Sequence, residues 1–145
     1  MNQSRRKLAG LRRHGRRLAL QLLYAFEQKR YLDDGMLGVE EFHRDLDPEA
    51  LAFGRELFAL FCANRTPIDA LVDGCLNNWT LGRLAILDRS VLRLGSAELL
   101  YREDTPPKVV INEYIELTKR FGSERRTTGL VNGVLDRIAR EHRPA

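Results

Sequence analysis

No stretch of this 145-residue chain alternates apolar and polar residues long enough to require a strand, whereas apolar residues recur three, four and seven positions apart along most of it. That spacing gathers them on one side of a helix and confines the chain to an all-α fold. Asp47-Pro48-Glu49 is a helix start, with Asp as cap, Pro preset at the first helical position and an acid at the positive helix end. Leu51, Gly54, Leu57, Phe58, Phe61 and Cys62 then form a core-facing stripe. Thr66-Pro67 opens a second helix through Ile68, Leu71, Val72, Cys75 and Leu76. After the break at Asn77-Asn78-Trp79, Leu84, Leu87, Val91, Leu94 and Gly95 resume the period, with Glu98 on the same face. Thr105-Pro106-Pro107 closes that helix and begins one that carries Val109, Val110, Ile111, Ile115 and Leu117 to Phe121, where Gly122 stops it. Thr127 or Thr128 caps a last helix through Leu130, Val131, Val134, Leu135 and Ile138. With a short helix at 39–44 inside the polar stretch 29–47, about seven helices joined by short loops are expected.

Charge is distributed unevenly along this pattern. Arg5, Arg6, Lys7, Arg12, Arg13, Arg16 and Arg17 precede the first acid, Glu27, and run into the apolar segment Leu18-Ala19-Leu20-Gln21-Leu22-Leu23-Tyr24-Ala25-Phe26. Removing these seven from the 24 Lys+Arg leaves 17 against 20 Asp+Glu, so the chain's whole positive surplus sits there. At 100° per residue the arginines share one arc and Leu8, Leu11, Leu18, Leu22 and Phe26 lie opposite, which predicts one binding face and one packing face. Gly10 and Gly15 weaken the helix near its beginning, so residues 1–10 are expected to be a flexible basic arm.

The length suits a single domain spanning 1–145, and 43% hydrophobic with 30% charged residues is a globular composition. No apolar run approaches the roughly 20 residues of a membrane span, and the apolar segment after the arginines is too short and polar-flanked for a secretory leader. The expectation is a cytoplasmic protein with no membrane association. Cys62 and Cys75 occupy apolar positions of helical patterns, as buried reduced thiols would. His14, His43 and His142 are isolated from one another and from the cysteines, and no phosphate-cradling loop or nucleophile elbow is present. The reading is of a non-enzyme without catalytic residues, metal or cofactor. Glu98 on an apolar face lacks a second acid or base at catalytic spacing and is expected to be buried and satisfied by an arginine or backbone amides.

Five segments stand in order along the chain: the Arg-rich start leading to Ala19-Leu20-Gln21-Leu22-Leu23-Tyr24, Leu92-Arg93-Leu94 through Glu98-Leu99-Leu100, Pro107-Lys108-Val109-Val110-Ile111-Asn112-Glu113 through Glu116-Leu117, Lys119-Arg120-Phe121-Gly122, and Val131-Asn132-Gly133-Val134-Leu135-Asp136. Together, and in this order, they resemble the NusB family of transcription antitermination factors. The resemblance implies two packed three-helix bundles and no chemistry of its own. It further implies pairing with the ribosomal protein NusE on single-stranded boxA-like RNA, within an RNA polymerase antitermination complex that promotes ribosomal RNA transcription. An RNA-binding accessory domain of an RNA methyltransferase system and a protein-binding scaffold are the alternatives. Monomer and homodimer both remain open.

The residues themselves suit that chemistry. Single-stranded RNA needs cations for its phosphates and flat groups for its bases. Arg12, Arg13, Arg16 and Arg17 are the expected phosphate donors, and Tyr24 is either a stacking surface or a core aromatic. A second surface is expected in the loop of Gly122, Ser123, Glu124, Arg125 and Arg126, continuing to Leu130 at the start of the last helix. Family members usually have an Asp after the Glu, a loop one residue shorter and a bulky, often aromatic residue before Val-Asn-Gly. Arg125 and Leu130 depart from that pattern, favouring phosphate over stacking. Asp88, Glu103 and Asp104 are the candidate acidic contacts to NusE. Gly133 is expected to permit close helix packing and Asn132 to bond locally to backbone near the loop, and Trp79 to be a bundle anchor, with an interface role the open alternative.

Overall fold

A computed structural model describes residues 3–29, 46–122 and 126–143, and the described residues contain six α-helices, one 3-10 turn and no strand. The helices are α1 (Gln3–Lys29), α2 (Pro48–Ala63), α3 (Arg65–Cys75), α4 (Ile86–Tyr101), α5 (Pro107–Phe121) and α6 (Arg126–His142), with the 3-10 turn at Leu81–Arg83. The short helix expected at 39–44 lies outside the described residues. The chain divides into two compact units, Met1–Ala59 and Leu60–Ala145, with the boundary inside α2.

Local chemistry sets the helix ends. Asp47 Oδ1 accepts the Glu49 N–H at 2.8 Å and the Asp47 carbonyl accepts the Leu51 N–H at 3.0 Å, while Pro48 occupies a position whose N–H has no helical partner. The turn into α3 is made one residue earlier than the Thr66-Pro67 signal suggests. Asn64 closes it by donating its side-chain amide to the Leu60 carbonyl at 2.8 Å and its backbone N–H to the Phe61 carbonyl at 3.0 Å. Gly122 ends α5, but at φ −71 and ψ 160 it is not left-handed. Space requires the glycine there: an added Cβ would lie 2.5 Å from the Thr118 carbonyl oxygen and 3.0 Å from Asp88 Oδ1.

In the first unit α1 runs unbroken through Gly10 and Gly15, although each glycine costs about 1 kcal/mol relative to Ala in a helix interior. Gly15 has a compensating role. A Cβ there would meet Phe53 at 2.8 Å and the Ala50 carbonyl at 2.9 Å, and one on Gly54 would meet the Gly15 carbonyl at 2.6 Å, so α1 and α2 touch backbone to backbone. Beyond that crossing Leu18, Ala19, Leu22 and Leu23 are fully buried with Ala50 and Leu57. Phe26 packs edge-on against Phe58 at 6.2 Å between ring centres.

In the second unit α4 is central and packs against α3, α5 and α6. It is buried almost all round, from Ser90 through Leu99 together with Asp88, and so encloses charge. Arg93 Nε and Nη2 donate to the two Asp69 carboxylate oxygens, both at 2.9 Å, with the guanidinium 5.2 Å from the Phe61 ring centre. Glu98 accepts the Tyr114 hydroxyl at 2.9 Å, so a phenol supplies a partner where an arginine or amides were expected. The cysteine expectation is also corrected: Cys62 is exposed and Cys75 half-buried. Desolvation raises both thiols above their ordinary pKa, opposed by Arg65 at Cys62 and by Arg137 at Cys75.

Candidate nucleic-acid interface

The cationic surface of the first unit is built on the Gly15 crossing. With no side chain at Gly15, the Phe53 ring reaches α1, and the guanidinium carbons of Arg12 and Arg16 lie 5.3 and 5.4 Å from its centre. A ring face attracts cations, each such contact contributing about 0.5–2 kcal/mol, and here it orients two guanidiniums one helical turn apart. Arg16 is only 2% exposed and Arg12 half-buried, whereas Arg5, Arg6 and Arg13 are exposed and Arg17 is half-buried. The two-face division therefore needs correction. Arg12 and Arg16 belong to the packing side and Leu8, expected to pack, is exposed. Tyr24 is 38% exposed, with its hydroxyl accepting the Gln28 side-chain amide at 2.9 Å, which removes the core reading and leaves its ring reachable.

The second expected surface lies at the start of α6. Ser123, Glu124 and Arg125, and the side chain of Arg126, lie outside the described residues. What the structure describes is their frame: Gly122 against Asp88 on one side, and Thr127, whose hydroxyl donates to Asp88 Oδ2 at 3.5 Å, on the other. Leu130 is half-buried on the first turns of α6. Asp88 is 3% exposed, which corrects its assignment as a partner contact: its carboxylate faces the ends of α5 and α6 and is not displayed. Thr127 correspondingly serves as its hydrogen-bond donor.

Glu103 and Asp104 are exposed, but Asp104 receives both Nε and Nη2 of Arg102 at 3.3 and 3.1 Å. The Glu103 carbonyl accepts Arg143 Nη2 at 2.9 Å, which ties the end of α6 to this loop and leaves the Glu103 carboxylate outward. Two further expectations change. Gly133 has nothing within 4 Å of an added Cβ and Asn132 is exposed, so this pair serves no packing. Trp79 is 53% exposed and is no bundle anchor.

Sequence reasoning missed Phe53, Tyr114 and Asp69. A helical pattern marks an aromatic or acid as buried or exposed without naming what crosses it, so neither Phe53 under two arginines nor Tyr114 beside Glu98 had a local signal. Among the described residues no group of three or more His, Cys, Asp and Glu side chains could hold a metal ion, and no helix is long and apolar enough to cross a membrane.

Fold and surface together define an all-helical protein with a cationic first helix and charges enclosed within its second unit. Residues 13–140 match the NusB family model, and the chain belongs to the NusB family. It is 44% identical over 135 residues to the transcription antitermination protein NusB of Myxococcus xanthus, covering 90% of this chain and 95% of that protein. The solved structure of T. maritima NusB superposes with a TM-score of 0.82 at 38% identity, over 92% of this chain and 93% of that one. A structure of antitermination factors NusB and NusE in complex with double-stranded RNA matches at a TM-score of 0.81 and 24% identity, over 90% of this chain and 97% of that one, and shows the shared fold.

Proposed function

We propose that this chain is a non-enzymatic transcription antitermination factor that binds boxA-like single-stranded RNA together with NusE and promotes ribosomal RNA transcription in the cytoplasm. Family membership over residues 13–140 is the observation that carries this reading. The chemistry of α1 supports it: a helical surface with no acid before Glu27, with Arg5, Arg6 and Arg13 outward, and Arg12 and Arg16 oriented by a ring. On this reading the chain is a single domain of two three-helix bundles, residues 1–10 are a basic arm, and RNA polymerase is reached through the complex with NusE.

Cations on α1 would supply salt-dependent affinity, with Arg17 and Tyr24 at its edge. Gly122, Ser123, Glu124, Arg125, Arg126 and Leu130 would supply base discrimination, and the outward Glu103 carboxylate would meet NusE. Asp88 would act beneath that loop, by holding its two ends.

Binding of a boxA-like RNA and a scrambled one, at two salt concentrations with and without NusE, tests the proposal. The expected result is a preference for boxA-like RNA that NusE strengthens and salt weakens. Equal affinity for both RNAs with NusE present would overturn it. Sedimentation of the free chain distinguishes a monomer from a homodimer that covers the basic face.

A further inference from the structure

Between Asp73 and Asp88 the chain carries no acidic residue, and its one charged side chain there is Arg83. Leu76, Leu81 and Leu84 are buried at 7–8% exposure and anchor the segment on both sides. The four residues bridging the first two, Asn77, Asn78, Trp79 and Thr80, are all exposed, as are Gly82 and Arg83. The bridge is pinned: Asp73 Oδ1 accepts the Leu81 N–H at 3.0 Å and the Asp73 carbonyl accepts the Leu76 N–H at 3.1 Å. Arg83 and Leu84 close the following turn by donating their N–H groups to the carbonyls of Thr80 and Leu81, at 3.0 and 3.3 Å.

An exposed indole on a fixed loop is a surface that awaits a flat partner. Its chemistry separates two classes of occupant. A protein hot spot seats a tryptophan among apolar neighbours that exclude water, whereas here the neighbouring apolar side chains are turned into the core. Along the chain, the exposed groups flanking the indole are two primary amides, a hydroxyl and, four residues on, a guanidinium. Amides match the hydrogen-bonding edges of a base, a guanidinium matches a phosphate, and an indole face stacks on any base.

We propose that Trp79 is a base-stacking platform for single-stranded RNA, with Asn77 and Asn78 reading base edges and Arg83 contacting the backbone. The proposal rests on the RNA-binding reading above and adds to it a site in the second unit.

Trp79 is the chain's single tryptophan, so emission excited at the red edge of the indole band, beyond tyrosine absorption, reports on this site alone. The experiment titrates the chain with a boxA-like single-stranded RNA, following tryptophan emission and, separately, the anisotropy of the same RNA carrying a terminal dye. Both signals should saturate together, with emission quenched. Trp79→Ala should weaken binding about tenfold and Trp79→Phe much less, because a smaller ring still stacks. An unchanged melting curve for both variants would confirm that the exposed ring is not structural. RNA binding by anisotropy with neither quenching nor a Trp79→Ala effect would overturn the stacking site and leave the antitermination reading intact. No RNA binding, even with NusE, would overturn both. An emission change on adding NusE alone, with no further change on adding RNA, would make Trp79 a protein contact and overturn the proposal.

Discussion

α4 and α1 handle charge in opposite ways. α4 takes Asp88, Arg93 and Glu98 below the surface and gives each a partner from another helix: Thr127, Asp69 and Tyr114. α1 leaves most of its cations at the surface and braces two of them on a neutral ring, with Arg16 buried and Arg12 half-buried against Phe53. A buried ion needs a counter-charge or hydrogen bond to offset its lost hydration, and once satisfied it has little charge to offer a ligand. A guanidinium on an aromatic face keeps its charge and loses part of its conformational freedom beforehand, which suits recognition of a polyanion. Of the two guanidiniums on the ring, the half-buried Arg12 is the one within reach of a ligand, since Arg16 is 2% exposed.

The comparison is tested most severely at Arg93. Arg93→Ala removes both donors from Asp69 and should lower the unfolding free energy by about 3 kcal/mol, measured by urea denaturation, with RNA affinity of the folded fraction unchanged. Arg93→Lys should recover only part, since an ammonium cannot reproduce the fork. Tyr114→Phe takes the phenol from buried Glu98 and should cost about 1–2 kcal/mol by the same measurement. A neutral result there would mean that other groups suffice for Glu98.

On α1 the expected effects separate. Arg13→Ala, at an exposed position, should weaken single-stranded RNA binding by about 1 kcal/mol, lower the salt slope by under about one unit and leave the melting curve alone. Arg16→Ala, at a position only 2% exposed, should lower stability by about 1 kcal/mol, because its guanidinium is packed on Phe53, and should weaken RNA binding less than Arg13→Ala does. If the two variants behave alike in both measurements, the ring bracing has no energetic role. Smallest is Gly133→Ala, where open space and a helical backbone predict a gain of about 0.5–1 kcal/mol in urea unfolding. A loss instead would mean that this face of α6 is covered in solution.

Sequence pattern carried the helices well wherever capping chemistry was local. Asp47-Pro48 and Pro106-Pro107 fall beside the starts of α2 and α5, and the apolar stripes of Ile68 and Val72, of Val91 and Leu94, and of Val131, Val134 and Leu135 are buried. It failed where the deciding neighbour lies far along the chain. Helical angle placed Arg12 and Arg16 opposite the leucines, but Phe53 approaches through the gap at Gly15, and no angle on α1 contains that information. Asp88 sits in the first turn of its helix, where an exposed acid is ordinary, until Gly122 and Thr127 close over it. Trp79 was misjudged for the converse reason. Bulk and hydrophobicity favour burial, while the asparagines beside it hold the segment in water.

The glycine contact between α1 and α2 has a mechanical consequence. Side chains normally keep helices 8–10 Å apart and interlock them like teeth, but at Gly15 and Gly54 main chain meets main chain, with the Phe53 and Leu18 side chains seated around the contact. Such a point fixes the separation of the two helices, and a glycine is where a helix bends most readily. Twelve residues of α1 extend from it to Gln3, a lever of about 18 Å at 1.5 Å per residue, so a bend of about 10° at Gly15 sweeps the tip by about 3 Å. The arginines near the tip could thus follow the uneven spacing of phosphates on a flexible strand while the leucines beyond the bend stay seated.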